Sequence, residues 1–436
     1  MIAQTYNALK VQQSTELINP FGGIQFVLKQ VKDAGIDKFI NEQVGSRGEA
    51  KTYSIADGLL SIHYSHLCGG SCIEDINTLG EHIGFHPGLS LTSADTALRI
   101  LQELKTEDSI VQNDEVTHQF NHNNKLNDLL QKLALKTGSI IPTAINTLDY
   151  DNVILENEKS DAARTYKMTT GYQPGIAAIG RQIVFIEGRG GNTPAAYKMD
   201  ETLKQCFKGL RDNGIHIEHF RSDSAAYQQL VVEEAEKNCT YFYIRIDDSQ
   251  SLRDAIKDIP EREWKTVMIN NKKVEIADTP FFPFNGKKAY RAVVQRRIRK
   301  DQQSDIFTQS HYAYYAIMTN NETPEATNLY VTQFYNQRGD SERNFDILNN
   351  DFNCNRLPFS FLNANVVYLF AAAISFTLFE WIKQLFFAKG AIANTAMRCK
   401  KFLFDFIILP AKWIKTARQW VYKIFTARSC YKPLME

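Results

Sequence analysis

Ile145-Asn-Thr-Leu-Asp-Tyr-Asp-Asn-Val-Ile-Leu155 is the stretch on which the fold turns. Its β-branched and aromatic content predicts a strand, and on a strand Asp149 and Asp151, two residues apart, project from the same face. Arg164 to Thr170 and Arg181 to Glu187 read as two further strands. Gly188-Arg-Gly-Gly191 lacks the Lys-Ser/Thr of a phosphate-binding loop and reads as a turn. Thr193-Pro194 reads as a cap followed by proline at the first helical position. The helix it predicts carries Met199, Leu203, Cys206, Phe207 and Leu210 on one face and stops at Asn213-Gly214. A strand (Ile215 to Arg221), a helix with Leu230, Val231 and Ala235, and a strand (Tyr241 to Ile246) follow. Three strands, helix, strand, helix, strand is an α/β layout with a mixed sheet.

Outward from this core, Thr266-Ile269, Val274-Ile276, Tyr290-Val294 and His311-Met318 predict a β-rich segment, and the pattern turns helical from Thr323-Pro through Leu348. Upstream, residues 20 to 137 read as helical from the three- and four-residue spacing of Ile24, Val27, Leu28 and Val31 and of Leu126, Leu129, Leu130 and Leu133. Leu91-Thr-Ser-Ala-Asp-Thr-Ala-Leu98 starts a helix that Thr92 or Ser93 can cap. Lying just after His86-Pro-Gly88, it reads either as a DNA-reading helix or as plain packing. Val366 to Phe379 is apolar for fourteen residues and ends at Glu380. A bilayer-crossing helix needs about twenty, so a buried core helix is expected, and no membrane partner. The expected units are 1–140, a helical DNA-binding region; 141–250, the first part of the core; 251–322, a β-rich insertion; 323–390, core completion; and 391–436, a basic tail.

The chain has 436 residues, 44% hydrophobic and 23% charged, which excludes a wholly disordered, collagenous or disulfide-scaffold protein. Net charge is +1, yet eleven Lys/Arg face three acids from Glu380 to the end. A partner bearing phosphates is one reason for such a tail. Seven cysteines, mostly far apart, read as reduced thiols of a cytoplasmic protein. Met1-Ile-Ala-Gln-Thr-Tyr shows no basic stretch followed by an apolar run, so no leader is expected. His63, His66, Cys68 and Cys72 superficially resemble zinc spacing, but Gly69-Gly70 interrupts them and no second ligand pair follows.

Acids at the sheet edge carry the chemistry. Asp223 follows the fourth strand, and if the three-strand meander is one half of the sheet, the first and fourth strands are neighbours. Glu342 is the candidate third acid. On a continuous helix, Tyr335, Arg338, Glu342 and Asp346 fall within about 80° of one another. Converging carboxylates suit Mg²⁺ or Mn²⁺. Two such ions about 4 Å apart serve phosphodiester displacement. Arg338 offers a forked donor to a phosphate. Lys287, Lys288, Arg291, Arg296, Arg297, Arg299 and Lys300, with Tyr290 among them, read as a strip for the phosphate backbone or as a solvated strand. Trp381, Trp413 and Trp420 read as packing rather than stacking on bases.

These residues resemble the DDE transposases of bacterial insertion sequences. The branch is the one with a β-rich insertion before the third acid and a Tyr-x₂-Arg-x₃-Glu-x₆-Lys signature. Here the signature is Tyr335, Arg338, Glu342 and Asn349, with Leu148-Asp-Tyr-Asp-Asn, Gly171-Tyr-Gln-Pro174, Phe220-Arg-Ser-Asp-Ser and Cys354-Asn-Arg-Leu-Pro-Phe-Ser360 also matching. The resemblance spans roughly residues 20 to 375. It implies a ribonuclease-H-like core that cuts and rejoins double-stranded DNA at terminal inverted repeats with two divalent metals, the protein working as a homodimer on DNA. Asp223 would be the second acid and Glu342 the third. For the first, Asp151-Asn-Val153 fits the family's Asp-x-Ser/Thr frame, and Asp149 shares its facing, so both stay open. Val153 replaces the hydroxyl residue and Asn349 the lysine. A non-catalytic DNA-binding protein derived from a transposase is the alternative these two departures permit.

Overall fold

The computed structural model describes residues 12–48, 50–86, 88–113, 115–298 and 312–435. Eleven strands form one mixed sheet. Two precede the core: β1 (Ser109–Asn113) and β2 (Val116–His122). The core supplies β3 (Thr147–Asn152), β4 (Gly175–Ile179), β5 (Gln182–Arg189), β6 (Ile217–Ser222) and β7 (Cys239–Arg245). The last four are β8 (Lys265–Ile269), β9 (Lys272–Phe281), β10 (Tyr290–Ile298) and β11 (Tyr312–Thr319). Across the sheet the order is β1-β2-β5-β4-β3-β6-β7-β11-β10-β9-β8. Strands β3, β6 and β7 run parallel, while β4 pairs antiparallel with both β3 and β5. That is the ribonuclease-H-like arrangement which the resemblance implies, and the mixed α/β fold is as expected.

Five helices build the N-terminal region: α1 (Ile24–Asp33), α2 (Ile36–Val44), α3 (Ile55–Leu67), α4 (Asp75–Ile83) and α5 (Ala94–Glu103). Then come α6 (Asn124–Lys136), α7 (Met199–Asp212), α8 (Gln229–Asn238), α9 (Gln250–Lys257), α10 (Asn328–Asn336), α11 (Gly339–Asp351) and α12 (Leu362–Ala388). One apolar core joins α1–α6 to α12, and a second lies under α7, α8 and α9 on the sheet. Helix α12 runs 27 residues, longer than the apolar run suggested. It is long and apolar enough to cross a membrane, but its most apolar window is 94% buried inside the protein. It packs directly on β5, where a Cβ on Gly188 would stand 2.3 Å from Val366 Cγ2. Likewise a Cβ on Gly175 would stand 2.1 Å from Tyr150 Oη, so glycine lets β4 close on β3.

Several elements differ from the sequence reading. Residues 109–122, read as helical, form the β1–β2 hairpin, which extends the sheet beyond β5. The middle strand of the meander is Gly175–Ile179 rather than Arg164–Thr170; the latter run contributes only short pairings in a small separate sheet. Its five buried residues are too few and too small to stand out from the turn after Pro174. Helix α7 opens at Met199, not at Thr193-Pro194, because the buried Arg189 guanidinium binds the carbonyls of Pro194, Ala195 and Tyr197 and holds that segment as a turn. Gly188 and Arg189 belong to β5, not to a turn. Strands β8–β11 continue the core sheet, since β11 pairs with β7 through Tyr243 and Thr319. The helix through Leu348 is broken between Asn336 and Gly339. Within 391–436, residues 411–416 and 419–424 pair as a hairpin, here β12 and β13.

Candidate active site

Parallel pairing of β3 with β6 sets the site. Tyr150 lies opposite Ser222, so the next residues along, Asp151 and Asp223, leave adjacent strands at the same carboxyl edge. Asp223 also turns the chain: its Oδ1 accepts from the Ala225 N–H at 3.0 Å. Asp151 is largely buried, and burial, reinforced by the nearby negative charge of Asp223, pushes its carboxyl up to about 6 against the opposing pull of Arg338.

The break between α10 and α11 places Arg338 over this edge. Its Nη1 donates to Asp151 Oδ2 at 2.8 Å, and its Nη2 stands 3.5 Å from Glu342 Oε1. One guanidinium thus bridges the first and third candidate acids. Tyr335 donates from its hydroxyl to the Ser222 carbonyl at 3.3 Å, against the strand end that presents Asp223. Its phenol is raised by burial, with Asp223 contributing. Asp151, Asp223, Tyr335, Arg338 and Glu342 therefore gather in one place. Asp346 does not join them: one turn beyond Glu342 on the same helix, it pairs with Arg398 at 2.7 Å.

Asp149 shares the face of Asp151 but lies two residues deeper, 4% exposed. Its two oxygens accept from Arg221 Nε and Nη2 at 2.7 and 2.8 Å. Arg221 further donates to the Phe334 carbonyl at 2.5 Å and lies over the Phe334 ring. Both carboxylate oxygens of Asp149 are thereby spent. Sequence reasoning missed Arg221 although it lies in the quoted Phe220-Arg-Ser-Asp run; the register that places it opposite Asp149 is a pairing no local pattern encodes.

Among the described residues no three His, Cys, Asp or Glu side chains already converge as a metal cage. Arg338 stands between Asp151 and Glu342. The donor set still fits a hard divalent cation: two carboxylates leave adjacent strands at one sheet edge, with a third one guanidinium away. Of the two departures, Val153 packs against the apolar core, and Asn349 accepts from the Cys354 thiol at 2.8 Å, committed to the end of α11.

Several other candidates are used internally. In the basic strip, Lys288 pairs with Glu236, Arg291 with Asp278, and Arg296 with Glu261 and Glu275; Arg299 and Lys300 lie outside the described residues. Arg296 is also stacked between Trp264 and Tyr312. The rings of His63 and His66 both bond Ser375 Oγ, at 3.0 and 3.1 Å, so the zinc-like spacing serves helix packing. Residues Ala94, Ala97, Ile100 and Leu101 of α5 are buried, which accounts for that helix as packing; Pro87 of the preceding turn lies outside the described residues. Trp381 is buried, and Trp413 packs on His86 and Tyr422. The described cysteines are free thiols.

The family described as Transposase DDE domain group 1 matches residues 4–435, so the chain belongs to the DDE transposases. Members of that family are DNA nucleases and strand transferases and generally use divalent metal ions. No curated protein matches the chain. Among solved structures it is similar to the piggyBac transposase in its synaptic complex with hairpin DNA, with TM-score 0.41 and 10% identity, over 89% of this chain and 76% of that one.

Proposed function

We propose that this transposase cuts and rejoins double-stranded DNA at the terminal inverted repeats of a bacterial insertion sequence, acting in the cytoplasm at the nucleoid and as a homodimer that holds two DNA ends. The observation that carries the reading is the meeting of Asp151 and Asp223 at one sheet edge, with Arg338 bridging Asp151 to Glu342. Asp151, Asp223 and Glu342 would hold two Mg²⁺ or Mn²⁺ ions. When bound, such ions activate the attacking water or hydroxyl and stabilise the leaving oxygen.

This chain's own residues do the rest. Asp149 and Arg221 form a closed buried pair beneath the site that fixes β3 against β6 and sets the height of Asp151. Tyr335 holds the Ser222 carbonyl and thereby the direction in which Asp223 leaves its strand. Arg338 bridges Asp151 and Glu342 in the free protein. Turned toward a phosphate, its fork binds two oxygens and releases both carboxylates for the cations. Asp149 is thus a positioning residue, and Asp151 the first acid.

The test incubates the purified chain with Mg²⁺ and duplex DNA carrying its own element ends. Cleavage by wild type, lost in Asp223→Ala and Glu342→Ala, is the expected result. Cleavage that persists unchanged in both removes the assignment. End-specific binding with no cleavage under Mg²⁺ or Mn²⁺ would favour the non-catalytic, transposase-derived reading.

A further inference from the structure

From Phe406 to Met435 the chain carries six Lys/Arg and no Asp or Glu. The middle of this run is the β12–β13 hairpin, which is anchored at one end and bare at the other. At its base Asn19 and Ala411 exchange backbone bonds of 2.8 and 2.9 Å, and the Tyr422 hydroxyl accepts from Asn19 Nδ2 at 3.0 Å and donates to the Gly22 carbonyl at 3.1 Å. Trp413 lies edge-on to His86 with ring centroids 4.8 Å apart. Beyond that base, Lys415, Thr416, Ala417, Arg418, Gln419, Trp420, Val421 and Lys423 are exposed, Trp420 by 53%.

Two features of this hairpin ask for an anionic partner. Lys412 and Lys423 are direct cross-strand partners, and like charges directly opposite destabilise a strand pair. Among the described residues Lys412 is offset by an acid, Glu16 at 3.2 Å, and Lys423 is not. Lys415 lies over the exposed Trp420 ring, 5.8 Å from its centroid, and on the opposite face of the hairpin Lys423 lies over Phe425, at 5.5 Å, so each face carries a cation beside flat apolar surface. Cations without an acid partner among the described residues, on both faces and the turn of a hairpin anchored at its base, beside exposed rings, fit a sugar–phosphate backbone, with phosphates taken by Lys/Arg and sugars covered by the rings.

We propose that the β12–β13 hairpin is a second DNA contact of this transposase, gripping the backbone of duplex DNA without regard to sequence through Lys415, Arg418, Lys423 and Trp420. The proposal rests on the reading of the chain as a DNA-cutting enzyme, but concerns a surface outside its acid site.

Binding of the full chain to a fluorescent 30-bp duplex of arbitrary sequence, titrated at several KCl concentrations, tests it. Each lost phosphate contact lowers the slope of log K against log[salt] by about 0.9, so Lys415→Gln/Arg418→Gln/Lys423→Gln should lower it by about 2 to 3 and weaken binding about tenfold near 0.1 M salt. The charge-keeping variant Lys415→Arg/Lys423→Arg should bind as wild type does, which separates charge loss from misfolding. An unchanged slope in the Gln variant overturns the hairpin assignment and leaves the transposase reading intact, whereas a wild-type chain that binds no duplex overturns both. A slope unchanged on DNA, with wild type but not the Gln variant co-sedimenting with phosphatidylglycerol vesicles, would assign the hairpin to an anionic lipid surface instead.

Discussion

At Asp149 both oxygens receive Arg221, whereas at Asp151 one oxygen receives Arg338 and the carboxyl stands near Asp223. From these contacts the two residues should respond differently to the same change. Asp149→Ala strands Arg221 as a buried, unpaired charge, and a broken buried pair costs about 3–5 kcal/mol; chemical denaturation should show that loss. Asp151→Asn should instead abolish cleavage well beyond the roughly 10–100-fold that losing an outer partner costs, in a folded protein. Its stability follows from the raised carboxyl. With a folded value of about 6 above the unfolded one, the ionised form is disfavoured in the native state, so native stability contributed by the protonated carboxyl is lost as pH rises through about 6. Metal-free Asp151→Asn should therefore melt above wild type at pH 8, with the gap shrinking toward pH 4; a gap independent of pH would contradict the assignment. At this scale the sequence showed the acids and their shared facing, because a two-residue period needs no tertiary information. Which acid is satisfied from below depends on Arg221, 72 residues away.

Among the elements, α12 is the spine on which the N-terminal helices and the sheet meet. His63 and His66 of α3 are buried against its Ser375, and burial depresses them to about 3 and about 4. Both are held neutral in the fold and protonate only when it opens. Their contribution is intact above about 6.5 and lost as pH falls toward 4, roughly 4 kcal/mol of it by pH 5. Urea unfolding at pH 7 and pH 5 should show the fall, and His66→Gln should flatten it by about half. On the other side of α12, Gly188→Val should destabilise by several kcal/mol through overpacking against Val366, read as a lower melting temperature. The α12 helix was legible from its apolar run, and its length was not, since Glu380 and Lys383 look like a polar end. They are in fact a buried pair at 2.7 Å, with Arg181 also reaching Glu380. The β1–β2 hairpin and β4 were missed for a related reason: short strands become strands through the neighbours they pair with.

Over the whole molecule, one sheet runs unbroken from β1 to β8, so the β-rich segment before the third acid is an extension of the catalytic sheet. Residues 251–322 expressed alone should lack cooperative thermal unfolding, because β11 finds its partner β7 outside them. The alternation of strands and helices was readable in the sequence because each has its own period. The neighbourhood of β3 and β6 was readable only on the condition that the three-strand meander is one half of the sheet, since the two strands are joined by register rather than by adjacency. The central claim is that this order makes Asp151 and Asp223 share a cation. Crystals of the chain with Mn²⁺ and end DNA, measured at the manganese absorption edge, address it directly. The account predicts an anomalous peak within about 2.2 Å of an oxygen of both carboxylates, with Arg338 turned to a phosphate. A peak at Asp149, or none between Asp151 and Asp223 in a complex that cleaves, would contradict it.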